Sequence, residues 1–210
     1  MELGVGLVIV VAVLVVLTLV RHHEYAQRAR LFRRIGFALT AVVAGLFGSF
    51  LVGETLSDPG GWKAIGLLAL WGVPLGVLCL LVWFRPAVAP WALVPLVVAM
   101  TSLSIWFAVD PGAWRAFENR NGPVRAVGLF ALALALALWG LHRTLAAGVL
   151  LVVIGVVPIA LSSIGHDGMA SLAAASAAPV ITGLCYLASA AAQHRPPRAN
   201  APPSAHPKAA

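Results

Sequence analysis

The chain has 210 residues, 61% of them apolar and only 10% charged, with a mean hydropathy of +0.96. An ordinary soluble domain is about 45–50% apolar and about 25% charged, so a water-soluble fold, a disordered chain, collagen and a disulfide scaffold are all excluded. Fourteen Lys+Arg against seven Asp+Glu give a net charge of +7, but these bases border apolar runs, where anionic headgroups and the positive-inside bias account for them without a nucleic-acid partner.

A bilayer core of about 30 Å takes roughly 20 apolar residues per helix. Seven stretches meet that requirement: residues 3–20, 35–56, 62–84, 89–109, 124–142, 145–164 and 169–192. The expected fold class is therefore all-α, a polytopic membrane protein built as a bundle of seven transmembrane helices. The first stretch follows Met1-Glu2 and precedes Arg21-His22-His23. That is the reverse of a secretory signal, and it predicts an uncleaved anchor with its N-terminus outside. A basic connection, 21–34, leads to the second span, which holds Ala41-x-x-x-Gly45 and Gly48 and closes near Glu54. Asp58-Pro59-Gly60-Gly61 is a turn signal before the third span, which carries Trp71, Gly72, Pro74 and Gly76. Arg85-Pro86 and Asp110-Pro111-Gly112 bracket the fourth. Only three residues, 142–144, separate the fifth and sixth. A single helix of that combined length exceeds any bilayer, so a tight helical hairpin is expected. Gly165-His166-Asp167-Gly168 leads to the Ala- and Ser-rich seventh span. Residues 193–210 are rich in Pro and Ala, bury nothing and are expected to be a disordered tail. The domain reading is thus 1–192 for the membrane bundle and 193–210 for a cytoplasmic tail.

Loop charges set the orientation. With the N-terminus outside, the inner segments hold ten bases: Arg21, Arg28, Arg30, Arg33, Arg34, Arg85, Arg143, Arg195, Arg198 and Lys208. The outer side holds four, Lys63, Arg115, Arg120 and Arg125. Basic residues concentrate on the cytoplasmic side, which gives N-terminus out and C-terminus cytoplasmic. Arg outnumbers Lys twelve to two in a chain dominated by Ala, Val, Leu and Gly, a bias of GC-rich genomes, so a bacterial plasma membrane is the expected location. Cys79 and Cys185 both fall in apolar spans and form neither a disulfide framework nor a zinc spacing.

Small residues let membrane helices approach closely, so Gly72 and Gly76 are expected to form a packing face. Gly72-Val73-Pro74 is echoed by Gly155-Val156-Val157-Pro158. One reading is a three-plus-three inverted repeat whose kinked helices frame a cavity at Pro74, Pro158 and Trp71. The plainer one is that Gly and Pro are common in membrane helices.

No ionisable residue lies at the centre of a span. A proton-coupled pump needs such groups at depth, and this absence argues against one. Polarity gathers instead on the outer face. Glu54, Asp58, His166 and Asp167 have two readings: carboxylates plus an imidazole converging on a divalent cation, or solvated loop ends shaped by turn chemistry, which also suits Asp110. His22, His23 and His142 border the membrane rather than lying inside it, so no haem and no other cofactor is expected. Six tryptophans, Trp62, Trp83, Trp91, Trp106, Trp114 and Trp139, fall near the membrane surfaces as an aromatic belt. No Gly-x-Ser-x-Gly elbow supports a hydrolase.

Three seven-helix families fail on their residues. Microbial rhodopsins need a lysine in the last helix, and 169–192 contains none. Small sugar transporters carry a Pro-Gln signature, whereas Gln27 and Gln193 follow no proline. Seven-helix zinc hydrolases need a His-x-x-x-His pair in the last helix, which is missing. Two functions stay open: binding or transport of a small neutral or weakly polar solute, or an accessory or scaffold subunit of a membrane complex. A lipid or envelope enzyme with an outer acidic site is a third. The partners expected are the lipid bilayer and other membrane proteins or a second copy. A cavity at Pro74, Pro158 and Trp71 would favour the solute reading. A solid core with an apolar groove facing lipid would favour the accessory reading.

Overall fold

The computed structural model describes residues 25–57, 61–110, 112–113, 116–117, 124–164 and 170–193. These are 94% helical with no strand, so the chain is all-α. Six helices carry the described fold: α1 (Tyr25–Ser57), α2 (Gly61–Phe84), α3 (Ala89–Val109), α4 (Val124–Gly140), α5 (Thr144–Ile164) and α6 (Ala170–Gln193). Four are long and apolar enough to cross a membrane, over Ala29–Phe50, Gly61–Phe84, Ala89–Val109 and Thr144–Leu161, and Ala126–Gly140 is a shorter apolar helix. The expected first span, 3–20, and the tail from 194 onward lie outside the described residues.

Helix α1 differs from expectation. It begins at Tyr25 rather than 35 and runs straight through Arg28, Arg30, Arg33 and Arg34, which had been read as a connecting loop. The cause is local. Ala26, Gln27, Ala29 and Leu31 are strong helix formers, as is arginine, and no Gly or Pro interrupts them. Charge ends the apolar part of the helix without ending the helix.

The hairpin between α4 and α5 is present. Leu141, His142 and Arg143 turn the chain, with the His142 and Arg143 amides both donating to the Trp139 carbonyl at 2.9 Å. A helix end leaves carbonyls without intrahelical donors. Here the Leu141 amide donates to Leu138 and the Tyr186 hydroxyl to Ala137, while just beyond the helix the Arg33 guanidinium donates to the Leu141 carbonyl at 3.2 Å. A cation at this end also opposes the helix dipole.

Helices α4 and α6 form the centre. Leu129, Leu132, Ala133, Ala135, Leu136, Ala137 and Trp139 of α4 are all buried; a helix apolar on every side belongs inside a bundle. The shared core joins them to Val82 of α2, Leu93 and Val97 of α3, Leu151 and Ile154 of α5, and Tyr186 of α6. The largest interface is between α5 and α6, followed by α1 with α6, whereas α2 and α3 touch only slightly. The closeness of α5 and α6 follows from glycine. A Cβ on Gly148 would meet the Gly183 carbonyl oxygen at 3.1 Å, and one on Gly155 would meet the Ser176 carbonyl oxygen at 2.9 Å. Lipid removes the hydrophobic drive between helices, so such close packing, together with interhelical hydrogen bonds, is what holds the bundle.

Candidate functional site

Three polar contacts join α6 to its neighbours inside the bundle. The buried Ser189 hydroxyl donates to the Ala29 carbonyl at 2.7 Å. Two turns earlier, Thr182 and Thr40 share a hydrogen bond of 2.7 Å between their hydroxyls, and Thr182 also reaches the Gly36 carbonyl at 3.3 Å. Between them, Tyr186 turns the other way, to Ala137 of α4 at 2.5 Å. Sequence reasoning did not single out this stripe. The signal was present: Thr182, Tyr186 and Ser189 recur at four and three residues, one helix face. All three are fully buried. Each is spent on holding helices together, and none is paired with a base.

The space around Pro158 is nearly filled. Met100, Thr101, Ser104, Leu129, Ile154, Val157 and Pro158 enclose about 10 Å³, about the space of a single water. Ser104 donates to the Met100 carbonyl at 2.9 Å, and the buried Thr101 hydroxyl has no hydrogen-bond partner among the described residues. Pro158 brings no amide to the Ile154 carbonyl, so the void is polar on two sides but too small for any solute.

The larger space lies elsewhere. An apolar groove of about 340 Å³ runs between α1, α2 and α4, lined by Phe47, Gly48, Val52, Leu68, Gly72 and Phe130 among others, without a polar side chain. Phe47 and Phe130 stack obliquely across its floor with ring centres 4.3 Å apart.

The two prolines expected to frame a cavity are not gathered. Pro158 is buried while Pro74 is exposed on the outside of α2, so the two prolines do not face one cavity. Trp71 and Glu54 lie on α2 and α1, with side chains outside the described set; Asp58, His166 and Asp167 lie outside the described residues altogether. Gly72 borders the groove, and a Cβ on Gly72 or Gly76 meets no atom within 4 Å. Close backbone approach occurs at Gly148, Gly155 and Gly183 instead. The echo between Gly72-Val73-Pro74 and Gly155-Val156-Val157-Pro158 is not repeated in packing: one motif faces outward, the other inward.

One further residue is placed differently from expectation. Trp139 is 3% exposed and donates its indole N–H to the Pro86 carbonyl at 3.0 Å, which makes it a core anchor of the α2–α3 turn rather than part of an aromatic belt. Trp62, Trp83, Trp91 and Trp106 are exposed. Asp110 acts in turn chemistry: its carboxylate accepts the Ala113 amide at 3.0 Å. Among the described residues no group of three or more His, Cys, Asp or Glu is arranged to hold a metal ion. No protein-family model, curated protein or solved structure matches the chain.

Proposed function

We propose that this protein is a non-enzymatic accessory or scaffold subunit embedded in a membrane complex. The observation that carries the reading is the filled core. The space beside Pro158 measures about 10 Å³, and the large groove, lined by no polar side chain, opens to the outside of the described helices. A carrier for a polar or neutral solute needs hydrogen-bonding groups at a midplane cavity. Here the buried hydroxyls of Thr40, Thr182 and Tyr186 are consumed between helices. The outer faces of α2 and α3 add to the argument: Leu70, Val73, Val77, Val98 and Trp91 are all exposed, an apolar surface suited to lipid and to other membrane helices.

In this reading the chain forms seven spans, with 3–20 as the first, the N-terminus outside and the C-terminal tail in the cytoplasm of a bacterial plasma membrane. The positive-inside count supports that orientation. Extraction of the full chain in mild detergent, followed by native electrophoresis and identification of co-migrating proteins, tests the reading. A stoichiometric partner of distinct sequence is expected; a chain that migrates alone whatever the detergent argues against it.

A further inference from the structure

The fold does not use up the basic stretch at the start of α1. Residues 21–34 hold five arginines, Arg21, Arg28, Arg30, Arg33 and Arg34, against one acid, Glu24. Because α1 runs on through 25–34, the arginines on it separate by face. Arg33 is half-buried and donates to the Leu141 carbonyl at 3.2 Å. Arg30 and Arg34 are exposed and, four residues apart, are neighbours on the helix surface. With Gln27 and Leu31 they line an open hollow of about 240 Å³.

Among the described residues no carboxylate offsets these two guanidinium groups. The described acids are Glu54 and Asp110. Glu54 stands about 30 Å farther along α1, and Asp110 caps the end of α3 remote from the α2–α3 turn. The bond from Arg33 to Leu141 instead brings the basic stretch beside the α4–α5 turn, which adds Arg143. This end of the bundle is positive. Beyond Arg34 the same side of α1 becomes apolar. Ala38, Ala41, Val42 and Gly45 follow it at the spacing of one helix face, and all four are exposed or half-exposed. Gly45 lies about 16 Å beyond Arg34, close to half of a bilayer core of about 30 Å. A charged pair thus stands at the head of an apolar track one leaflet deep.

We propose that Arg30 and Arg34 hold the phosphate of an anionic phospholipid, with one of its acyl chains laid along Ala38, Ala41, Val42 and Gly45. A guanidinium meets phosphate as a planar fork of two donors, and two forks one turn apart reach separate oxygens of one phosphodiester. A zwitterionic lipid presents the same phosphate, but the positive end of the bundle repels its ammonium group, so the site selects net negative charge. The same repulsion disfavours the C-terminal residues 193–210 as the occupant, since they carry Arg195, Arg198 and Lys208 and no acid. The inference stands apart from the accessory role, because a bound lipid neither requires nor forbids a partner protein.

Native mass spectrometry of the full chain in neutral detergent tests it, with titration by phosphatidylglycerol and by phosphatidylcholine of the same chain length. The first phosphatidylglycerol is expected to bind about tenfold more tightly than the first phosphatidylcholine. Arg30→Gln/Arg34→Gln is expected to weaken it about 30-fold, and each single change about fivefold, with phosphatidylcholine unaffected. The single changes keep the test decisive if the double variant does not fold. Lys63→Gln, at the opposite end of the bundle near the start of α2, is expected to leave the preference intact, and glycerol phosphate without acyl chains is expected not to displace the lipid. Equal affinity for the two lipids overturns the proposal, as does a preference that survives the arginine changes in protein that elutes and melts like the parent. Displacement by glycerol phosphate at the lipid's own concentration, or loss of a second copy of the chain rather than of lipid in the arginine variants, overturns it as well.

Discussion

Tyr186 donates its hydroxyl to the Ala137 carbonyl at 2.5 Å while its ring lies against the backbone of Gly140, the last residue of α4. A Cβ at Gly140 would fall onto that ring. One aromatic residue thus closes an orphan carbonyl and requires a glycine one turn later. Gly140→Ala is expected to destabilise the bundle by about 1–3 kcal/mol, the usual cost of overpacking. Tyr186→Phe is expected to cost less, about 0.6–1.7 kcal/mol, the range of single hydrogen bonds between membrane helices. Unfolding curves in mixed micelles give the order, and a larger loss for Tyr186→Phe would contradict it.

Glycines divide by what surrounds them. Gly183 approaches α5 so closely that a Cβ would meet the Gly148 carbonyl oxygen and the Val152 amide nitrogen at 2.9 Å, backbone atoms that cannot rotate away. Gly66 of α2 meets nothing within 4 Å. Gly183→Ala should therefore destabilise, whereas Gly66→Ala should be neutral or stabilising by up to about 1 kcal/mol through helix propensity. Melting temperatures of the two variants in one detergent check the contrast.

Thr40 and Thr182 form the other interhelical link, and here redundancy matters. Thr182 retains the Gly36 carbonyl when Thr40 is removed. Thr40→Val is expected to lose less than Thr182→Val, and a double-mutant cycle should return a coupling near 0.6 kcal/mol and not above about 1.7. A coupling of zero would mean that the two hydroxyls do not meet.

Much of the helix pattern was legible in the sequence because the breaks are chemically loud. Arg85-Pro86 and Asp110-Pro111 bound α3 at the residues expected, 89 and 109. Less legible was α1, where a hydropathy window stops at Arg34 although arginine favours helix. Least legible was the packing. Gly72 and Gly155 look alike in sequence, yet one faces open space and the other a neighbouring carbonyl, because partner choice depends on tertiary arrangement and not on local spacing. Trp139 was misplaced for the same reason: its position near a span end says nothing of the Pro86 carbonyl brought to it by the α2–α3 turn.

Topology is directly measurable. Reporter fusions after Arg30, Arg85, Arg143 and Arg195 are expected to read cytoplasmic, and fusions near Gly60, Gly112 and Asp167 external. A reversal in the middle of the chain would remove or add a span.

Glu54, Asp58, His166 and Asp167 separate two chemistries by their response to metal. Solvated loop ends leave the melting temperature of the full chain unchanged by calcium, magnesium or zinc. A cation site raises it by mass action, and Glu54→Gln abolishes the rise. The accessory reading expects no change.

The filled core is the centre of the account, and flux through reconstituted vesicles tests it most directly. Proteoliposomes holding the full chain are challenged with small neutral solutes such as glycerol and urea, and shrinkage and reswelling are followed by light scattering. Rates equal to those of protein-free vesicles are expected, because about 10 Å³ beside Pro158 admits no solute. A saturable increase in permeation, lost on Pro158→Ala or Thr101→Val, would contradict the account.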